Sequence, residues 1–134
     1  NPFQTHVGPN TVLLDRYSAS DGDFFPYRFR YRKLGKLIGE RSWGGVVGIR
    51  GSLPFIDGGM LRKPEFASFS PDGKEWIIEG HGVEPDIRVV NDPYRAYAEN
   101  EDKQLERAVE ELKKEMQRTR TDLPEPPPFP DKSK

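Results

Sequence analysis

The stretch "SASDGD" at residues 18–23 crowds Ser18, Ser20, Asp21, Gly22 and Asp23 into one turn. A turn that merely connects two elements needs one Gly or Asx residue. A serine at the end of a strand, just before a helix, is placed to attack a carbonyl carbon. The first amides of a helix have no internal partner, and with the helix dipole they form an anion site. An oxyanion developing beside Ser20 would therefore rest on the amides of Asp21 and Gly22. One such donor is worth roughly 3–4 kcal/mol in a transition state. Gly22 would also let a substrate backbone approach closely. Taken by itself, the stretch reads more simply as a helix start. Ser20 or Asp21 would then be an N-cap, and Asp23 would complement the dipole.

Other chemistry-bearing residues are sparser. His6 and His81 are the two imidazoles, and both read as loop residues rather than as a base. Two lone histidines at that separation make a poor metal site, and Asp57, Glu65 and Glu84 have no ligand spacing. No metal and no organic cofactor is expected. Glu79 alone reads as an ion-pair partner for one of the 21 basic residues. Arg28, Arg30, Arg32, Lys33 and Lys36 do not share one face, so a solvated helix surface is the better reading than a nucleic-acid patch. "WGGVV" (43–47), with Gly44 and Gly45, fits two alternatives equally. It lines a groove in which a substrate backbone adds as a strand, or it is a tight turn between buried strands.

Regular elements must position these groups. Residues 10–15, "NTVLLD", read as a short buried strand. Residues 21–34 read as a helix, because Phe24, Tyr27, Tyr31 and Leu34 fall on one face. Pro26 is tolerated only in its first turn, and Gly35 suits its C-terminal cap. "KLIGE" (36–40) is a second strand, which makes a right-handed parallel crossover. A Gly-rich β region begins at "WGGVVGI", and "DGG" and "PDGK" mark turns. "VEPDIRVV" leads into another extended run. Leu105, Ala108, Val109, Leu112 and Met116 define a helix over about 102–118, packed in the ordinary way or against another subunit, with basic residues in its last turns. The tail "LPEPPPFPDKSK" has five prolines and reads as a flexible polyproline-type segment.

The bulk properties bound the class. The chain has 134 residues, the size of one domain. Its net charge of -1 gives no general pull toward nucleic acid or anionic membrane. It has no cysteine, which excludes disulfides, zinc thiolates and thiol nucleophiles. No apolar run approaches the roughly 20 residues of a membrane span.

Four segments, "DRYSASDGD", "LGKLIGERSWGGVVGI", "PEFASFSPDGKEWIIEGHGVEPDI" and the helix after them, together carry a resemblance. They resemble the C-terminal half of the catalytic core of the tricorn and carboxyl-terminal processing family of serine peptidases. The resemblance implies an α/β, crotonase-like spiral of strands and helices. It implies three parts: a loop from a truncated upstream segment (1–10), peptidase core (11–118) and the Pro-rich tail (119–134). It places the nucleophile on Ser20, one oxyanion donor on the Asp21 amide and the charge-relay carboxylate on Glu79. The base would be an upstream histidine outside this chain, oriented through a second serine. The lysine-using branch of the family has a "TFGKG"-like turn. Here the turn is "SWGGV", with Gly45 where that lysine would stand, which agrees with the Ser-His-Glu type. The implied substrates are peptides or oligopeptides. The implied partners are the His-bearing half, PDZ and propeller domains of the same protein, in a homo-oligomer that is hexameric in the family. The implied compartment is cytoplasmic, with export left open. Two alternatives stand beside this: a non-catalytic peptide-binding or assembly domain on the same fold, and an acyl-CoA-handling relative, which would not need the "SASDGD" turn.

Overall fold

The computed structural model describes residues 6–51, 54–119, 125 and 127–132. The Thr/Val/Leu run forms β1 (Asn10–Leu14), and α1 (Asp21–Tyr31) follows. β2 (Gly35–Gly39) then pairs with β1 in parallel, in register from Asn10 opposite Gly35 to Leu14 opposite Gly39. This is the expected strand–helix–strand crossover. A third parallel strand, β5 (Ile87–Arg88), pairs with β2 at Ile38 and Gly39, so the sheet order is β1-β2-β5. Two further strands, β3 (Gly48–Gly51) and β4 (Arg62–Phe66), form a separate antiparallel ribbon. The fold is mixed α/β.

Leu14, Phe29, Leu37, Val46, Ile77, Ile78 and Val83 make one buried cluster. It lies where β1, α1 and β2 meet the loops at 41–47 and 77–83. α1 turns Asp23, Pro26 and Phe29 inward. Phe24 and Tyr27, from the expected apolar face, pack against the cluster's flank, while Tyr31 and Leu34 stay exposed. That face borders a groove of about 740 Å³ shared with Phe69, Pro71 and Ile77. The helix also ends earlier than the spacing suggests. Lys33 takes the left-handed conformation (φ 54°), and Gly35 opens β2 instead of capping the helix. A Cβ on Gly35 would fall 1.9 Å from the Asn10 carbonyl oxygen, so the tight β1–β2 pairing requires that glycine.

After β5, Asp92 caps a short helix, α2 (Pro93–Ala98), by accepting the Arg95 N–H. Asp92 followed by Pro93 is a helix-start signature that periodicity over so short a segment does not reveal. α3 (Lys103–Arg118) is capped by Asp102, which accepts the Leu105 N–H. α3 buries only part of the stripe its apolar spacing suggests, Ala108 fully and Leu112 by half. Gln104, Ala108 and Glu111 face inward, while Leu105 and Met116 remain 51% and 63% exposed. Polar bonds explain the rotation. Gln104 Nε2 donates to the Val89 carbonyl, and Glu111 accepts from Lys36 Nζ at 2.7 Å. Of the expected tail, residues 125 and 127–132 are exposed and irregular, whereas 120–124, 126, 133 and 134 lie outside the described residues, as do 1–5 of the opening loop.

Candidate active site

Ser20 stands at the N-cap of α1 with φ 57° and ψ −112°, and it is exposed. A non-glycine residue there is strained by about 1–3 kcal/mol and persists only where its surroundings fix it. Those surroundings are specific. The Ser18 N–H and hydroxyl donate to Asp15 Oδ1, and the Ser18 carbonyl accepts the Trp43 N–H. The Ser20 N–H donates to Asp23 Oδ2 at 3.0 Å. Among the described residues, no protein acceptor meets the Asp21 N–H. The Gly22 amide is committed, donating to the Ala19 carbonyl at 2.8 Å. The expectation that Gly22 adds a second free donor beside Asp21 is therefore corrected. A Cβ on Gly22 would approach only Ser18 Cβ, at 3.4 Å, so nothing within the chain crowds it.

Asp23 is the residue the sequence undervalued. It is fully buried, at 0% exposure. Besides the Ser20 amide it accepts the Gly44 N–H on Oδ1 at 2.8 Å and the Gly45 N–H on Oδ2 at 3.2 Å. Burying a carboxylate is costly unless hydrogen bonds replace its water. Here three amides and the head of a helix do so. The only sequence signal was its place at the third helical position, where an acid often reaches back to the cap.

The loop at 41–47 then continues to Glu79. Glu79 Oε2 accepts the Val46 N–H at 2.7 Å and the Val47 N–H at 2.8 Å. Four successive amides, from Gly44 to Val47, are thus held by two carboxylates. This is why the expected β region starts only at Gly48: amides bonded to side chains are lost to a strand ladder. It also settles what Gly44 and Gly45 do inside the chain. Their N–H groups serve Asp23. The Gly44 carbonyl serves the Gly80 N–H at 2.8 Å. Gly44 has φ +89°, and a Cβ there would fall 2.5 Å from the Gly82 nitrogen.

Glu79 itself leaves a strained turn. The Glu79 N–H donates to the Ile77 carbonyl at 2.8 Å, closing a three-residue turn across Ile78, whose φ is 72°. Positive-φ turns of this kind are rare and strained, and a β-branched residue is the least tolerant of them. Ile78 is 1% exposed, so core packing holds it. Behind it, Ser42 Oγ accepts the Val83 N–H at 2.7 Å. Strained positions thus occur at Ser20 and immediately before Glu79, and one loop joins the two.

Neither histidine ring bonds to the Asp23 or the Glu79 carboxylate. His81 Nδ1 lies 3.0 Å from the Glu79 carbonyl oxygen, which makes that nitrogen the donor, and its own carbonyl accepts from Arg41. His6 Nε2 faces the Pro9 carbonyl at 3.4 Å. Neither ring is hydrogen-bonded to Ser20. Among the described residues no group of acidic, His or Cys side chains is arranged to hold a metal. None of their helices is long and apolar enough to cross a membrane.

An exposed serine on a strained strand-to-helix turn, wired through one loop to a second strained turn bearing a carboxylate, is an arrangement suited to covalent hydrolysis. Residues 2–89 match peptidase family S41, and the chain belongs to that family. It is 42% identical over 92% of its length to the tricorn protease of Thermoplasma volcanium, and 37% identical over 95% to that of Thermoplasma acidophilum. It spans 12% of the length of each of those relatives. It is 41% identical over 87% of its length to a putative tricorn-like protease C-terminal subunit of Sulfurisphaera tokodaii, 14% of which it covers. In three dimensions it resembles the crystal structure of the tricorn protease, with a TM-score of 0.70 at 38% identity, over 81% of this chain and 11% of that one. A likeness to mature CPAF complexed with lactacystin, at TM-score 0.56 and 23% identity over 85% of this chain and 20% of that one, is one of fold.

Proposed function

We propose that this chain is the nucleophile-bearing part of a serine peptidase of the tricorn type, built on a crotonase-like core. Ser20 Oγ attacks the peptide carbonyl carbon, and its proton passes to an imidazole supplied from outside these residues. The negative oxygen of the tetrahedral intermediate rests on the Asp21 amide and on a second donor contributed by another segment. The C–N bond then breaks, the imidazolium gives its proton to the leaving amine, and Ser20 is left as an ester. Water, deprotonated by the same imidazole, hydrolyses that ester. Glu79 orients and charge-compensates the imidazole through a bridging serine of the other half.

One observation carries the reading: Ser20 and Glu79 are fixed to opposite ends of a single four-amide loop, Ser20 by way of Asp23. The Glu79 carboxylate uses Oε2 for that anchorage, so Oε1 is the atom assigned to the bridging serine. The reading includes peptide or oligopeptide substrates, further domains in the same polypeptide, a homo-oligomeric assembly and a cytoplasmic site of action. The likeness to tricorn proteases, 12% of whose length this chain spans, supports the first two.

The test is made on the complete protein that carries this chain. A fluorophosphonate probe is expected to label Ser20, and Ser20→Ala is expected to abolish both labelling and peptide hydrolysis. Hydrolysis that persists in Ser20→Ala removes the nucleophile from this account. The 134 residues alone are expected to turn over little, since the imidazole and half the oxyanion site come from elsewhere.

A further inference from the structure

We infer that Asp23 is a positioning residue of this site: its buried carboxylate sets the Ser20 hydroxyl and the Asp21 N–H against the Gly44–Val47 loop. The inference rests on the peptidase reading and goes beyond it, because Asp23 touches neither substrate nor base.

A plain capping role would need only the Ser20 amide, and such acids sit at the surface. Asp23 has no exposure, and two of its three donors, Gly44 and Gly45, come from a segment more than twenty positions away. The carboxylate therefore ties together two segments that the paired ends of β1 and β2 bring side by side. On the helix side it grips the peptide nitrogen of Ser20, the residue with φ 57°. A change in φ about that nitrogen swings the side chain of Ser20 and the amide of Asp21 together. On the loop side it fixes Gly44 and Gly45, whose next two amides carry Glu79. One group thus sets the distance between nucleophile and relay acid.

The isosteric amide cannot do the same work. Both oxygens of Asp23 accept N–H bonds, Oδ1 from Gly44 and Oδ2 from Ser20 and Gly45. In Asp23→Asn, whichever way the amide is turned, its NH2 faces another N–H. Either Gly44 or the Ser20/Gly45 pair is left without an acceptor. The loss is one of alignment, so it falls on the transition state more than on ground-state binding.

The experiment compares Asp23→Asn and Asp23→Ser with the parent in the complete protein. Turnover is normalised to sites titrated with the fluorophosphonate, so that misfolded molecules drop out. The expected result is a fall in kcat of about 100-fold, the usual cost of a displacement near 1 Å, with KM within about threefold. Binding of a peptide boronate, which forms a tetrahedral adduct on the serine, should weaken in step with kcat/KM. Binding of the product peptide should not change. An unchanged kcat per titrated site in either recovered variant overturns the inference. So does an equal loss of boronate and product binding, which would mark Asp23 as pocket scaffolding. Ser20→Ala is assayed in parallel: if it stays active, the failure lies with the peptidase reading and not with Asp23.

Discussion

Glu79 Oε2 lies 2.7 Å from the amide nitrogen of Val46, and the same oxygen accepts from Val47. One oxygen of this carboxylate thus folds a loop, and the other is the one the proposed mechanism uses; the two roles separate by substitution. In Glu79→Gln the amide oxygen still accepts both N–H groups, so the loop stays in place while the charge is lost. The melting temperature should stay within a few degrees, while kcat in the complete protein falls by roughly 10³–10⁴, the usual cost of neutralising the orienting acid of a triad. Glu79→Ala should add a stability loss of about 1–3 kcal/mol, because it leaves the amide of buried Val46 without an acceptor. A Gln variant with full activity would confine Glu79 to its structural duty.

Ser20 makes a second pair of variants informative. Its φ of 57° and ψ of −112° suit glycine and strain every other residue. Ser20→Gly and Ser20→Ala should both be inactive, yet the glycine variant should unfold at higher denaturant, by about 1 kcal/mol or more. The measurement is a pair of urea titrations with equal slopes. Equal midpoints would mean that the turn relaxes freely and that the strain is not held by the fold.

The sequence made much of this legible, and the two exceptions that matter most for the site and for α3 share one cause. β1, α1, β2 and α3 follow from apolar runs and periodicity. The "SASDGD" turn stood out because its residue types are rare together. Long-range polar bonds were not visible. The loop at 41–47 was expected to begin a strand, but its amides go to Asp23 and Glu79. The α3 stripe was expected to pack in the ordinary way or against another subunit; Leu105 and Met116 stay exposed, while Glu111 turns inward to meet Lys36, Arg107 and Lys114. In both places a carboxylate, distant in sequence from one or more of its partners, outweighs local pattern. Nothing in spacing or propensity encodes such a partner.

That acidic centre gives a pH prediction. Hydrogen bonds from Lys36 and Lys114 lower the Glu111 carboxyl from its ordinary 4.5 to about 2. A depressed folded-state value means stability that is present above pH 4.5 and is lost as pH falls toward 2. Acid unfolding of the chain should therefore steepen between those values. Lys36→Met should flatten that limb, with little effect on the Ser20 turn, which it does not touch. Chemical unfolding at a series of pH values reads the difference. An unchanged acid limb in Lys36→Met would remove the Lys36–Glu111 pair as its source.

The last prediction concerns the two imidazoles. His81 gives its Nδ1 proton to the Glu79 carbonyl, and His6 faces the Pro9 carbonyl. Each bond serves local backbone, and neither ring is bonded to Ser20. His6→Ala and His81→Ala should leave kcat of the complete protein within about twofold. The His81 variant also bears on stability. Its bond steadies the turn after Ile78, so a small loss of thermal stability is expected with activity retained. The decisive quantity is the limb of the pH–rate profile that reports the base, since it tracks the base in the free enzyme whatever the stability. That limb should keep its midpoint in both variants. Its disappearance in His81→Ala would make His81 the proton acceptor and bring the whole catalytic set inside this chain. The distance between the Ser20 and Glu79 segments would then need closing by a different route than the four-amide loop.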